Sequence, residues 1–132
     1  MQGVSDLKVL ISSMKPISNN GQYVFCSVQN MDFDWAHIVL FFKEKEGFTV
    51  VCTPEYALQK AWIYDSIFAW ITLSVHSSLN AVGLTAAFSR ELAENGISCN
   101  VVAAYFHDHI FVPYEKGGFA IQILEKMSHE TL

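Results

Sequence analysis

The feature that most constrains the fold is a change of hydrophobic period in the second half of the chain. In residues 67–76, Ile71, Leu73 and Val75 alternate against Trp70, Thr72 and Ser74. That period of two belongs to a strand with one covered face. In residues 79–95 the spacing lengthens, so that Ala81, Leu84, Phe88 and Leu92 share one helical face while Arg90 and Glu94 take the opposite one. Asn95-Gly96 ends this helix, because glycine accepts the left-handed conformation that follows a helix. Residues 99–105 and 109–112 read as strands around a tight turn at 106–108. A last helix follows Pro113, with Phe119, Ala120, Ile123, Leu124 and Met127 on one face. From His129 onward the chain is expected to fray. Strand, helix, strand, strand, helix is most of a ferredoxin-like βαββαβ unit, an α/β (α+β) sandwich that lacks only its final strand.

The first half is less regular. Leu7, Leu10, Ile11 and Met14 form the stripe of an amphipathic helix, with Ser5 placed to cap its start and Pro16 to stop it. Asn19-Asn20-Gly21 has turn chemistry. Residues 23–28 read as a strand and residues 30–34 as a polar break. Residues 38–42 and 48–52 are apolar runs joined by a charged link ending in Gly47, which suits a β-hairpin, with a short helix over 38–45 as the alternative. Pro54 opens a short helix through Ala61, since proline suits the first helical turn. This half holds helix, strand, strand, strand, helix, and it could supply the strand missing from the second half.

Composition limits the partners. Apolar residues make up 52% of the sequence and charged residues only 16%. Too few charges remain to coat the surface, so a homodimer or higher homo-oligomer is expected to cover part of the apolar area. The net charge is −5, and the one dense charge run, Lys43-Glu44-Lys45-Glu46, is mixed in sign. No nucleic-acid or anionic-membrane partner is therefore expected. Cys26, Cys52 and Cys99 are odd in number, widely spaced and set in apolar runs, which suits buried thiols in a reducing compartment. Residues 1–6 have neither a charged nor an apolar leader pattern, and no apolar run approaches the roughly 20 residues of a membrane span. A cytoplasmic location is the expectation.

Two segments could carry chemistry. His76-Ser77-Ser78-Leu79-Asn80-Ala81-Val82-Gly83-Leu84-Thr85 joins a strand to a helix. Free backbone N–H groups and a positive dipole end there would suit a carboxylate or phosphate, and Gly83 would let a ligand approach the backbone. Ordinary capping by Ser77, Ser78 and Asn80 is the other reading of the same residues. The second segment is His107-Asp108-His109. On a strand the two histidines share a face, but the remaining ligands of a metal site have no source at metal spacing, so no metal or other cofactor is expected. Asp108 could hold an ammonium, or it could be a solvated turn residue. A serine triad is disfavoured, because adjacent His107 and Asp108 would point to opposite faces and no G-x-S-x-G elbow is present. No Walker or G-x-G-x-x-G motif supports a nucleotide. The chain does not read as an enzyme.

The segment HSSLNAVGLTAAFSRELAENGISCNVVAAYFHDHIFVPYEK, together with YVFCSV and KEKEGFTVV upstream, closely resembles a family of small bacterial ACT-domain proteins. The resemblance runs from about Leu7 to Met127. More distantly the pattern is similar to the tandem ACT modules of aspartate kinases and of animal cytosolic arginine sensors. It implies two ACT-like halves, a degenerate one over residues 1–63 and a full ACT domain over 64–132. It also implies an amino-acid ligand whose carboxylate meets the backbone of Val82, Gly83 and Leu84. Asn100 and Asp108 match the assisting strand positions, with His107 and His109 beside Asp108. The alternative is an interaction module that oligomerises through its sheet without a ligand.

Overall fold

The computed structural model describes residues 6–75 and 79–130. Four helices, α1 (Leu7–Ser13), α2 (Pro54–Gln59), α3 (Leu84–Glu94) and α4 (Gly117–Glu130), alternate with six strands. The strands are β1 (Pro16–Val28), β2 (Leu40–Lys43), β3 (Phe48–Cys52), β4 (Phe68–Leu73), β5 (Asn100–Ala103) and β6 (Asp108–Pro113). This is an α+β fold of the expected class. The chain forms two compact units, one of residues 1–20 with 69–132 and one of residues 21–68.

In the first unit the strands neighbour one another in the order β1-β4-β6-β5. Read along the chain, β4-α3-β5-β6-α4 is the βαββα series, and the start of β1 stands beside β4 where the final strand of a ferredoxin-like unit would lie. The N-terminal half thus supplies the missing strand. Ala69, Ile71 and Leu73 of β4 and Ile110 and Val112 of β6 point to one face. There they meet Leu10 and Met14 of the first helix, Leu84, Phe88 and Leu92 of α3, and Ala120, Ile123 and Leu124 of α4. Each fully buried large side chain stabilises the unit by roughly 1.5–3 kcal/mol, so this layer outweighs any surface pair. Ser128 Oγ donates to the Ser12 carbonyl at 3.0 Å and ties α4 to α1.

The second unit orders its strands β2-β3-β1. The hairpin expected over 38–52 is present: β2 pairs antiparallel with β3 from Leu40↔Val51 to Lys43↔Phe48. β1 pairs with β3 from Val24↔Cys52 to Val28↔Phe48. Val24, Cys26, Val28, Val50 and Cys52 pack against Tyr56 and Ala57 of α2. Thr53 caps α2, accepting from Tyr56 N, and Pro54 stands at its first turn. The buried Cys26 and Cys52 behave as small hydrophobes; burial pushes the Cys52 thiol up to about 12.

Several boundaries differ from those read in the sequence, each for a physical reason. Asn19-Asn20-Gly21 is not a turn: β1 continues through it, and Gly21 takes the positive φ of +102° that glycine tolerates. The amide of Asn19 is used elsewhere, donating to Thr72 Oγ1 at 2.9 Å. Asp6 caps α1, accepting from Val9 N at 3.2 Å, whereas Ser5 lies outside the described residues. β4 ends at Leu73, and His76 also lies outside them. α3 starts at Leu84, five residues later than its apolar pattern suggested. α4 runs to Glu130, so His129 is helical; Ser128 is anchored to α1 just before it. Among the described residues no helix is long and apolar enough to cross a membrane.

Candidate functional site

The start of α3 is built around Gly83. It is the N-cap residue, at φ +102°, and no side chain caps the helix there. A left-handed N-cap suits glycine, because a Cβ would crowd the backbone. Space is tight as well: a Cβ on Gly83 would sit 3.1 Å from Leu7 Cδ2 of α1, which would have to give by a few tenths of an ångström. The Gly83 carbonyl accepts from Ala87 N at 2.9 Å, which starts the helical ladder. The first-turn N–H groups receive no oxygen from the cap residue, and they lie at the positive end of the helix. Val82 is 83% exposed, while Leu84 turns into the core. Ser77 and Ser78 lie outside the described residues and precede the N-cap by at least five positions.

Asp108 opens β6, opposite Ala103 of β5. It is not a turn residue, because the turn falls earlier, with Ala104 N bonded to the His107 carbonyl at 3.0 Å. Asp108 is only 8% exposed, and alternation puts it on the helix-covered side with Ile110 and Val112. Its carboxylate makes no hydrogen bond to a described residue. Loss of solvent holds its carboxyl above the usual range, with partial relief from His109. Asp108 is largely buried, yet among the described residues only His107 Nδ1 is a fully buried polar side-chain atom without a partner, so the Asp108 oxygens keep an opening through which a positive group could meet them.

The histidines stand on the other side of β6. Trp70 Nε1–H donates to His109 Nδ1 at 3.0 Å, and Thr72 Oγ1 lies 3.0 Å from the same nitrogen. Thr72 in turn accepts from Asn19. Trp70 stacks on Phe111 with ring centroids 6.2 Å apart. These contacts align Trp70 with Phe111 and Thr72 with His109, so β4 and β6 run antiparallel and the end of β4 lies beside Asp108. Burial lowers the His109 pKa. His107 stands edge-on to His109 at 6.5 Å, and its Nδ1 is buried with no described partner. No group of three or more metal-ligating side chains occurs among the described residues.

The structure thus brings His107, Asp108 and His109 together at the mouth of the β5–β6 hairpin. Asn100 stands at the other end of β5, paired with Phe111, where its amide donates to the Phe111 carbonyl at 3.1 Å. Three strand residues, about 10 Å, separate it from the Asp108 pair. No described hydrogen bond or ring contact joins Gly83 to Asp108. Sequence reasoning missed Trp70 and Thr72 as partners of His109, and Asn19 as the donor to Thr72. The signal available for them was the alternation in β4, which sends Trp70 and Thr72 to the face opposite Ile71. Two grooves mark the unit elsewhere. One of about 490 Å³ lies between Glu91 and Asn95 of α3 and Phe119 to Glu130 of α4. One of about 260 Å³ lies between residues 12–16 and the end of α4. Neither is lined by Gly83 or Asp108.

Family models for the ACT domain match residues 2–69 and 66–126. A Vibrio cholerae protein described as of unknown function and a possible transport protein is 46% identical. Its structure superposes with a TM-score of 0.83, over 92% of this chain and 95% of that one. Protein Atu0741 of Agrobacterium tumefaciens has the same fold at 17% identity and a TM-score of 0.72, over 87% and 89% of the two chains. So does the ligand-free regulatory subunit of aspartate kinase from Thermus thermophilus, at 9% identity and a TM-score of 0.65, over 85% and 95%. At those identities the likeness concerns the fold alone. No curated protein matches the chain.

Proposed function

The chain belongs to the ACT-domain family as a tandem ACT protein, and from that membership we propose that it binds a free amino acid and acts as a regulatory module without catalytic chemistry of its own. The observation that carries the proposal is Asp108. A buried carboxylate without a protein partner, at the start of a strand, is where a ligand ammonium would be held. The uncapped start of α3 complements it. Backbone N–H groups at Val82, Gly83 and Leu84, with the positive helix end behind them, suit the ligand carboxylate. Ser77 and Ser78, which precede Val82 in the sequence, complete the proposed surroundings, whereas His107, on the other side of β6, and Asn100, about 10 Å along β5, are left out of them.

The regulatory subunit of aspartate kinase shares the fold, which agrees with a sensing role. Two copies of the chain are proposed to associate, since Leu58, Ile63, Val82, Tyr105 and Phe106 are all more than half exposed and apolar. The short outer strand β5 offers unpaired backbone groups to a second copy.

A thermal-shift screen over the twenty amino acids tests the reading. A ligand at 100 times its dissociation constant stabilises its protein by about 2.7 kcal/mol, a readily measured rise in melting temperature. A rise with one amino acid or a small group of them supports the proposal. No rise with any amino acid at millimolar concentration removes it, leaving an interaction module that associates through its sheet.

A further inference from the structure

We propose that His109 is a pH-operated latch on the sheet, releasing the Trp70 indole when it takes up a proton. The indole nitrogen of Trp70 only donates. Its N–H points at His109 Nδ1 from 3.0 Å. That nitrogen must therefore present its lone pair, and the ring proton of neutral His109 sits on Nε2. The tautomer is fixed by a neighbour that can only donate.

An added proton has one place to go, which is Nδ1, the atom that accepts from Trp70. Two N–H groups then face each other across 3.0 Å, and one must leave. Thr72 Oγ1 lies equally near that nitrogen and has a lone pair beyond the one that Asn19 Nδ2 occupies. The imidazolium N–H can turn to it, while the indole has no such exchange at His109. The protonated state thus keeps the tie between β6, β4 and β1 through His109, Thr72 and Asn19 but loses the one through Trp70. Since Trp70 stacks on Phe111, its release also disturbs the aromatic packing on that face.

Burial sets the direction, and the neighbouring charges modify it. His107, edge-on at 6.5 Å, opposes a second positive charge, and Asp108, the next residue, favours one. From the facing elements β4 presents Trp70 and Thr72, β1 presents Asn19, and β5 presents Val102 opposite His109. None of these is charged. Burial adds to the opposition from His107, so the latch opens on the acid side of an ordinary histidine.

The test is NMR of the full chain with ¹⁵N-labelled tryptophan and histidine, followed from pH 8 to pH 5. At pH 8, His109 should show an unprotonated Nδ1 and a protonated Nε2. The Trp70 indole signal, assigned by its loss in Trp70→Phe, should move with the same midpoint as the His109 ring, below about 6.5. In His109→Gln, whose amide oxygen can accept but does not titrate, the Trp70 signal should be flat across that range. The opposite tautomer at pH 8, read on the unmodified chain, would overturn the proposal. So would a midpoint at or above 6.5, or a Trp70 response that persists in His109→Gln. None of these readings needs an amino-acid ligand, so they stand or fall apart from the proposed function.

Discussion

Replacing Asp108 with asparagine should make the protein more stable while making it a worse binder. Asp108 as a residue is 8% exposed; its carboxylate has no described hydrogen-bond partner and only residual access to solvent. A buried polar group left unsatisfied costs about 1–3 kcal/mol, and a charged one more. Asparagine keeps the shape and an unpaired amide but removes the charge, so only the charge-specific part of that cost is recovered. We expect a gain on the order of 1 kcal/mol at pH 7, or a melting temperature about 3–5 °C higher for a chain of this size. The gain should also vary with pH in one direction. Burial raises the Asp108 pKa in the folded protein, so between the unfolded value and the folded one the native state holds the extra proton. Wild-type stability therefore recovers its deficit as pH falls through the folded pKa, and the gap to Asp108→Asn closes in acid. Differential scanning calorimetry of both proteins at pH 7 and in mild acid reads the difference directly. A variant less stable than wild type at pH 7 by a kcal/mol or more would refute the reasoning, because the carboxylate would then be making a stabilising bond.

Other substitutions separate packing from binding. Gly83→Ala should cost about 1–2 kcal/mol, from a left-handed backbone and a Cβ 3.1 Å from Leu7 Cδ2; equal stability in denaturant titration would contradict the geometry. Phe88→Ala, which empties the fully buried centre of the first unit, should cost about 3–5 kcal/mol in the same titration. The lowered His109 pKa means that the unfolded chain binds the proton first, so this group's stabilising effect is complete above about pH 6.5 and is lost as pH falls through the folded value. Thermal melts should show that loss in wild type and less of it in His109→Gln. Light scattering at micromolar concentration should give a dimer mass or higher, and a monomer mass would remove the second copy from the account.

The parts of the fold that were legible in the sequence are those governed by local period. The alternation of Ile71, Leu73 and Val75 and the helical spacing of Leu84, Phe88 and Leu92 follow from which face each element covers. Where local chemistry competes with long-range pairing, the local signal misled. Asn19-Asn20-Gly21 has every mark of a turn, yet it lies inside β1, a strand with neighbours on both sides in the sheet. Ala81 continues the apolar spacing of α3 backwards, but the left-handed Gly83 starts the helix after it. The site was legible by residue type and not by environment. Asp108 could be singled out, but its burial comes from strand pairing and a helix layer that no local pattern encodes. The Trp70–His109 bond joins residues 39 positions apart, beyond the reach of any local period.

The central claim is that a free amino acid is held between the start of α3 and Asp108, and titration calorimetry tests it most directly. The amino acids that raise the melting temperature would each be titrated into wild type and into Asp108→Asn. Wild type should bind with a dissociation constant below about millimolar, some 4 kcal/mol of binding. Loss of the charge-assisted bond should weaken the variant by about 1.5–3 kcal/mol, roughly 10- to 100-fold. Binding of equal strength to both proteins would place the ligand away from Asp108, and no heat from any amino acid with wild type would contradict the claim outright.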